Sequence, residues 1–409
     1  MDKLLIIGAG IGQINIVKLA KAMGVYVAVV SPKGYPAIEL ADELFECDIF
    51  DYDHIVEYAH SNNFTAVTSD QNDLMMPTVA YVAEKLGLPG NTFSQVNSYC
   101  DKNNFRKVCL KAGVPVPANI EVHDSNMPNF DVELPWIVKP SDSQSSIGVS
   151  KINSTEEYAT AVEYSLSKSK HHKAILEQFF TGDEIVCEGF VYKGKYYNLF
   201  FGDRRYFKGT LIPSQTLFPS ELDSNIKNKI LGCERAITKE INPYFGIIHS
   251  EYLVNTLTGK ICIVESAIRG GGVYISSHLV PLATGIDVNK ILLKCALGQA
   301  TESDIEDAFA KKKDGASAYV CFTLPEGIVK EINGIEDVPN IQGVVMCDIR
   351  NLSEGDKTEK MIAKGMRKGP ILVNANNREE LDSIISRIQE TIDIKVTTPE
   401  GELKNIIWS

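Results

Sequence analysis

Glu251 lies in the apolar segment Ile247-Ile-His-Ser-Glu-Tyr-Leu-Val254, and Glu265 in Ile261-Cys-Ile-Val-Glu-Ser266. The turn Asn255-Thr-Leu-Thr-Gly259 between them predicts a hairpin with both acids on one face. Two carboxylates held close raise each other's pKa unless a cation neutralises them. Magnesium, with carboxylate and phosphate oxygens as ligands, meets that need. Taken in isolation, the same pair reads as two solvent-facing acids at alternating strand positions. Lys139 ends the strand Trp136-Ile-Val-Lys-Pro140, where a buried ammonium is costly without an anion. Ser143-Gln-Ser-Ser-Ile-Gly148 follows, and its small residues leave backbone N–H groups free for phosphate oxygens. Alone, Lys139 is equally a snorkelling surface lysine. Arg269-Gly-Gly-Gly272 begins four residues after Glu265. Its guanidinium is a planar fork for carboxylate or phosphate. The glycines either let a substrate approach the backbone or simply form a loop.

The remaining motifs are weaker. Gly8-x-Gly10-x-Gly12 follows a strand, but position 13 is Gln where a dinucleotide fingerprint carries Gly. It reads as a tight strand-to-helix turn, with a nicotinamide dehydrogenase as a distant alternative. No G-x-x-x-x-G-K-[ST] occurs, which disfavours a P-loop NTPase. His171-His172 has no partner at metal spacing and reads as surface.

The elements that must hold these residues are legible in outline. Lys3–Ile7, Val25–Val30 and Ala66–Ser69 read as strands. Helices are expected at about 14–23, 36–44, 53–61 and 73–86, making a doubly wound α/β unit ending near Gly90. A helix at about 101–112 stops at Gly113. Strands at 136–140 and 149–152 precede a helix at about 155–168, with Ser154 as its cap. Ala174–Phe180 is strand-like again. Long strands fill 184–268, around a helix at about 223–241. Helical spacing returns at 287–297, 303–311 and 377–391.

Bulk properties narrow the class. The chain has 409 residues, enough for two to four domains, with 44% hydrophobic and 23% charged residues, as in globular proteins. The net charge of −12 disfavours bulk binding to nucleic acid or an anionic membrane. Nine cysteines, without C-x-x-C spacing, read as reduced thiols of a cytoplasmic protein. The chain passes from Met1 straight into a strand, with neither a secretory signal nor a run of about 18 apolar residues.

In this order the motifs resemble the ATP-grasp superfamily, in particular the carboxylate–amine ligases of its L-amino-acid-ligase and biotin-carboxylase-like branch. The resemblance implies an α/β and α+β multidomain protein with an ATP-grasp fold. Its parts would be a pre-ATP-grasp parallel-sheet domain (1–95), a helical linker (96–120) and a lid subdomain (121–183). A catalytic subdomain (184–315) and a C-terminal α+β domain (316–409) would follow. It also implies site roles. Lys102, in Asp101-Lys-Asn-Asn-Phe-Arg106, would contact the nucleotide, and Lys139 its α/β-phosphates, under a mobile loop containing Ser145, Ser146 and Gly148. Glu177-Gln-Phe-Phe-Thr-Gly-Asp-Glu184 resembles the hinge, with Glu177 and the Phe179 backbone at adenine and Glu184 at the ribose. Glu251 and Glu265 would hold magnesium, two ions with manganese able to substitute. Arg269 would sit near an acyl phosphate, and Ala283-Thr-Gly-Ile-Asp287 would close the site.

One departure concerns the second metal ligand. Many members read Glu-x-Asn-Pro-Arg there; this chain reads Glu265-Ser-Ala-Ile-Arg269, with Ala267 in place of the Asn. The implied reaction joins a small carboxylate to an amine through an acyl phosphate, with ADP released and an amino acid or amino sugar among the acceptors. The alternatives are a kinase that stops at the phosphorylated substrate and a non-catalytic nucleotide-binding protein. For the acceptor, His249 is a candidate base, or else a structural histidine. Tyr274, Ser276 and His278, after Gly271 and Gly272, would line the pocket. Arg204, Arg205 and Lys208 read as a loop that greets an acidic substrate. A homodimer through the N- or C-terminal domain is a family-level expectation.

Overall fold

The computed structural model describes residues 2–143, 147–272 and 274–409. Its N-terminal sheet is parallel, in the order Glu43–Phe45, Tyr26–Val30, Lys3–Ile7, Ala66–Thr68. Both faces of the inner strands are covered, which is why they read as continuous apolar runs. Leu4, Ile6, Val27 and Val29 pack with Ile16, Val17 and Ala20 of helix Ile14–Ala22. The alternate residues Leu5, Ile7, Ala28 and Val30 pack on the other side with Ile55, Ala59 and Val79.

The helix expected at 36–44 is absent. A short 3₁₀ turn, Ile38–Leu40, leads instead to the edge strand Glu43–Phe45. Asp42 accepts the Val27 N–H at 2.8 Å, and Phe45 stacks on Tyr58 with ring centroids 3.8 Å apart. These tertiary contacts override the local helical preference. The Gly8–Gly12 turn is filled by the chain itself. Gly10 N–H donates to Gln13 Oε1 at 2.9 Å, and a Cβ at Gly8 would lie 2.2 Å from Met75 Cε. Gly8 also has φ +87°, which favours glycine.

Two helices lead to the next unit. Phe93–Cys100 starts with a Thr92/Gln95 capping box, a sequence signal the helical reading passed over. Lys102–Lys111 follows, with Asp101 accepting the Asn104 N–H at 2.8 Å. The lid is an antiparallel sheet in the order Asn119–Val122, Ala174–Gln178, Trp136–Pro140, Ser150–Ile152. Its first strand therefore begins inside the 96–120 linker. Helix Tyr158–Ser167 covers one face through Tyr158, Val162 and Leu166. Ser154 begins the turn into that helix, but its side chain does not cap it.

The central sheet has eight antiparallel strands. Their order is Lys260–Ala267, Phe245–Asn255, Asp183–Tyr192, Lys195–Tyr206, Pro213–Phe218, Ala316–Phe322, Lys368–Ala375, Val344–Cys347. The last three lie beyond residue 315, so a boundary at 315/316 runs through one sheet. Helix Arg378–Thr391 packs on strands Lys368–Ala375 and Ala316–Phe322 of this sheet, and a second sheet of the C-terminal region shares the same core. All nine cysteines are unpaired, and no described helix is long and apolar enough to cross a membrane.

Asp70, fully buried after strand Ala66–Thr68, ties the N-terminal sheet to the segment that follows strand Lys260–Ala267. It accepts from Gly270 N–H at 2.7 Å, the Ser276 hydroxyl at 2.7 Å and Asn289 Nδ2 at 2.6 Å. Asp70→Ala leaves these buried donors without an acceptor. It is expected to lower the unfolding free energy by about 3 kcal/mol or more. Urea titration measures this, and an unchanged midpoint would contradict it.

Candidate active site

The turn closes by Gly259 N–H donating to the Asn255 carbonyl at 2.8 Å and pairs Asn255 with Lys260, and a one-residue bulge between Glu251 and Tyr252 then sets Glu251 directly opposite Glu265 instead of Val264. Each acid has drawn a cation to itself. Lys102 Nζ, from the first turn of its helix, lies 3.3 Å from Glu265 Oε1 and donates to the Ser143 carbonyl at 2.6 Å. Arg204 Nη1 is shared between Glu251 and Glu184, at 2.6 Å from the latter. The Tyr206 hydroxyl also donates to Glu184. Burial and the Glu251 charge push the Glu184 carboxyl above its ordinary range, with Arg204 opposing.

A second charged group lies under the lid. Glu177, 3% exposed, takes Arg106 Nε at 2.6 Å and Lys139 Nζ at 2.7 Å. Arg106 also donates to the Val264 carbonyl at 2.6 Å, next to Glu265. Burial alone would raise the Glu177 pKa, but the two cations outweigh it and hold it at about 2. Burial lowers the Lys139 pKa, with Glu177 opposing. The hinge acid is therefore the counter-ion of Lys139. Phe179 N–H donates to the Pro135 carbonyl at 3.0 Å, and its ring lies under the Lys151 ammonium. Gly148 (φ +78°) is packed, not open: a Cβ there would sit 2.6 Å from Pro140 Cγ. Ser145 and Ser146 lie outside the described residues.

His249 is buried between two acids, with Nδ1 against Glu188 and Nε2 3.3 Å from Glu251 Oε1. Burial lowers its pKa, but the Glu188 and Glu251 contacts outweigh this and lift it to about 9. Both of its ring nitrogens are thus engaged by carboxylates. The loop reading of Arg204 and Arg205 is overturned. Both lie on strand Lys195–Tyr206, where neighbours face opposite ways: Arg204 is inside with the acids, Arg205 outside and exposed. Lys208, beyond the strand end, is exposed.

Arg269 grips Asp73, with Nε at 3.1 Å and Nη2 at 2.8 Å. Gly270 and Gly271 are closed to a substrate by the chain itself. A Cβ on Gly270 would meet Ser276 and Asp70; one on Gly271 would lie 2.7 Å from Glu188 Oε1 and His249 Nδ1. Gly272 alone has open space beside it. Ser276 is buried on Asp70 and does not line a pocket. Tyr274 and His278 are partly exposed and meet edge-to-face with centroids 5.1 Å apart. Thr284-Gly-Ile-Asp287 joins two helices, with Gly285 left-handed and Asp287 accepting the Lys290 N–H at 3.0 Å.

Ion pairs and strand pairing thus link Lys102, Glu265, Glu251, Arg204, Glu184 and His249 into one charged cluster, with the Lys139–Glu177–Arg106 group beside it through the Arg106 contact to the Val264 carbonyl. Residues that motif reading missed are Arg106, Glu188, Asp70 and Asp73. Arg106 had a signal, since it falls four residues after Lys102 on one helix face. Glu188 follows Glu184 at a same-face strand spacing. A divalent cation fits the donor set of Glu251 and Glu265, because both acids recruit positive charge from the chain. Ala267, buried next to them, adds no ligand atom.

The D-ala D-ala ligase C-terminus family model matches residues 111–206. The alanine–anticapsin ligase of Bacillus subtilis (strain 168) is 26% identical over 268 residues, 59% of this chain and 56% of that protein. D-alanine–D-alanine ligase A of Escherichia coli (strain K12) is 38% identical over 94 residues, 21% of this chain and 25% of that one. This chain thus spans little more than half of the first relative's length and a quarter of the second's. The crystal structure of L-amino acid ligase from Bacillus licheniformis superposes with a TM-score of 0.82 at 21% identity, covering 96% of this chain and 98% of that one. The fold is that of this L-amino acid ligase, and the D-ala D-ala ligase match runs from the end of helix Lys102–Lys111 through the four-stranded sheet to strand Lys195–Tyr206.

Removing the charge of Glu177 leaves Lys139 and Arg106 buried against each other. Glu177→Gln is expected to cost about 3–5 kcal/mol in urea unfolding. The sign with pH is fixed by the lowered pKa. The Glu177 contribution is complete above the ordinary carboxylate value of 4.5 and is lost as pH falls towards 2. Stability measured against pH in Glu177→Gln should lack that acid-side loss; identical slopes in both proteins would contradict it.

Proposed function

We propose that this chain, an ATP-grasp protein of the carboxylate–amine ligase kind, uses ATP to activate a small carboxylate and passes the acyl group to an amine. The observation that carries this reading is the paired acids Glu251 and Glu265, with Lys102 on Glu265 and Lys139 within electrostatic reach of Lys102. A carboxylate is a poor acyl donor because its oxygen is a poor leaving group. In the first step its oxygen bonds to the γ-phosphorus and the bond to the β,γ-bridging oxygen breaks, releasing ADP. In the second, the amine attacks the acyl carbon, phosphate leaves, and the amine gives up a proton.

Magnesium bound at Glu251 and Glu265 would supply positive charge to the phosphate oxygens. Lys139 and Lys102 neutralise the same tail, and the work of the protein is positioning and electrostatics. Glu177 keeps Lys139 in place until an anion arrives. Arg204 holds Glu251 and Glu184 aligned. His249, braced by Glu188, keeps the Glu251 carboxylate ionised. Arg269 orients the carboxylate from its seat on Asp73. Two metal ions, with manganese as a substitute, and an amino acid or amino sugar as acceptor complete the reading.

The test is a coupled ADP-release screen of carboxylates against amines, with mass spectrometry of the products. ADP release that requires the amine supports the ligase; release without it favours a kinase. Lys139→Ala and Glu265→Ala are each expected to lower substrate-dependent turnover about 10²–10³-fold or more. Both should keep a native circular dichroism spectrum, since Glu177 retains Arg106 and Glu265 is partly exposed. Near-normal turnover in either variant refutes this mechanism.

A further inference from the structure

The C-terminal region brings to the cleft a lysine that no motif marks. Lys364 opens the short turn Lys364–Met366. Arg367 fastens that turn to the central sheet. Its Nε donates to the Lys364 carbonyl at 2.9 Å, Nη1 to the Pro213 carbonyl at 2.8 Å and Nη2 to the Tyr319 hydroxyl at 3.3 Å. Pro213 pairs across the sheet with Tyr206, whose hydroxyl holds Glu184. The turn is therefore pinned beside the Glu184–Arg204–Glu251 cluster.

Two donors there lack an acceptor. The Lys364 ammonium is partly buried and within electrostatic reach of Glu251, Arg204, Arg367 and Glu184. Among the described residues it has no carboxylate within 4.0 Å. Burial pulls its pKa below the ordinary lysine value. Independently, Arg204 Nε is buried without an acceptor, although Nη1 serves both acids. A partly dehydrated ammonium and a buried guanidinium N–H both gain from an incoming oxyanion and lose without one.

Resting on the ligase reading, we propose that Lys364 binds an oxyanion entering the cleft beside Glu251, so that the C-terminal region forms one wall of the active site. The oxyanion is a phosphate or carboxylate oxygen, from the terminal phosphoryl group of ATP or from the acid substrate. The side chain acts by direct charge-assisted hydrogen bonding, with no covalent step.

The experiment compares the full-length wild type, Lys364→Met and Lys364→Arg, each checked for an unchanged melting temperature. Isothermal titration with magnesium measures AMPPNP and ADP affinity. Steady-state kinetics measures KM for the acid that gives the highest ADP release in the screen. If Lys364 meets the terminal phosphate, Lys364→Met weakens AMPPNP about tenfold and leaves ADP unchanged. If it meets the substrate acid, both nucleotides bind as before and KM rises about tenfold. In either case Lys364→Arg recovers most of the loss. Values for Lys364→Met within about twofold of wild type in all three measurements overturn the proposal while leaving the ligase reading intact. Failure of the wild type to bind either nucleotide would instead remove the ligase reading, and this inference with it.

Discussion

The cleft has to be positive enough to receive polyanions and yet stable when none is present. Lys102, Lys139, Arg106, Arg204 and Arg269 converge on it, and buried like charges would drive each other apart. The fold answers with as many acids as cations, shared between them. Glu265 meets Lys102, Glu177 meets Lys139 and Arg106, Glu184 and Glu251 share Arg204, and Asp73 meets Arg269. These pairings differ in strength by burial. Glu177 is almost fully enclosed and stays with its cations, whereas Glu265 keeps about a third of its side chain exposed and is free to exchange Lys102 for another positive charge.

Strand pairing turns this electrostatic arrangement into geometry. Glu251 and Glu265 face each other because the turn fixes the register up to Tyr252 and a one-residue bulge then replaces Val264 by Glu265 opposite Glu251. On the same strand His249 and Glu251 share a face by the two-residue repeat, and across the neighbouring pairing His249 stands opposite Glu188. The lysines come from two other elements, Lys139 from strand Trp136–Pro140 and Lys102 from the first turn of helix Lys102–Lys111.

What could be read in advance follows from the range of the interaction. The hairpin acids, Lys139 and the parallel strands were legible because each rests on a local pattern: an apolar run, a turn, a charge where none belongs. The edge strand at Glu43–Phe45 was not, because its state is set by Val27 and Tyr58, far away in sequence. Asp70 and Asp73 were illegible for the same reason, since their partners lie some 200 residues on. The glycines at 270 and 271 were read for their freedom to admit a ligand. Their real constraint is crowding by Ser276, Asp70, Glu188 and His249. Arg204 was misplaced because the polar run around it resembles a loop, whereas its face of the strand is lined by acids that make burial affordable.

The contacts of Asp70 and Asp73 also bear on how the domains act together. Both project from the end of the N-terminal parallel sheet, and both hold the segment that follows the second hairpin acid, Asp73 through Arg269 and Asp70 through Gly270 and Ser276. Glu265 itself is bound by Lys102, from the helix that leads out of the same domain. Any group that displaces Lys102 from Glu265 therefore loosens one of the ties between the N-terminal half and the catalytic strands, while the Asp70 and Asp73 ties hold. The lid side is then the part left free to adjust, because Lys102 also carries the Ser143 carbonyl at the start of the phosphate-loop segment. Charge exchange at Glu265 is thus linked, through the single side chain of Lys102, to the backbone at Ser143.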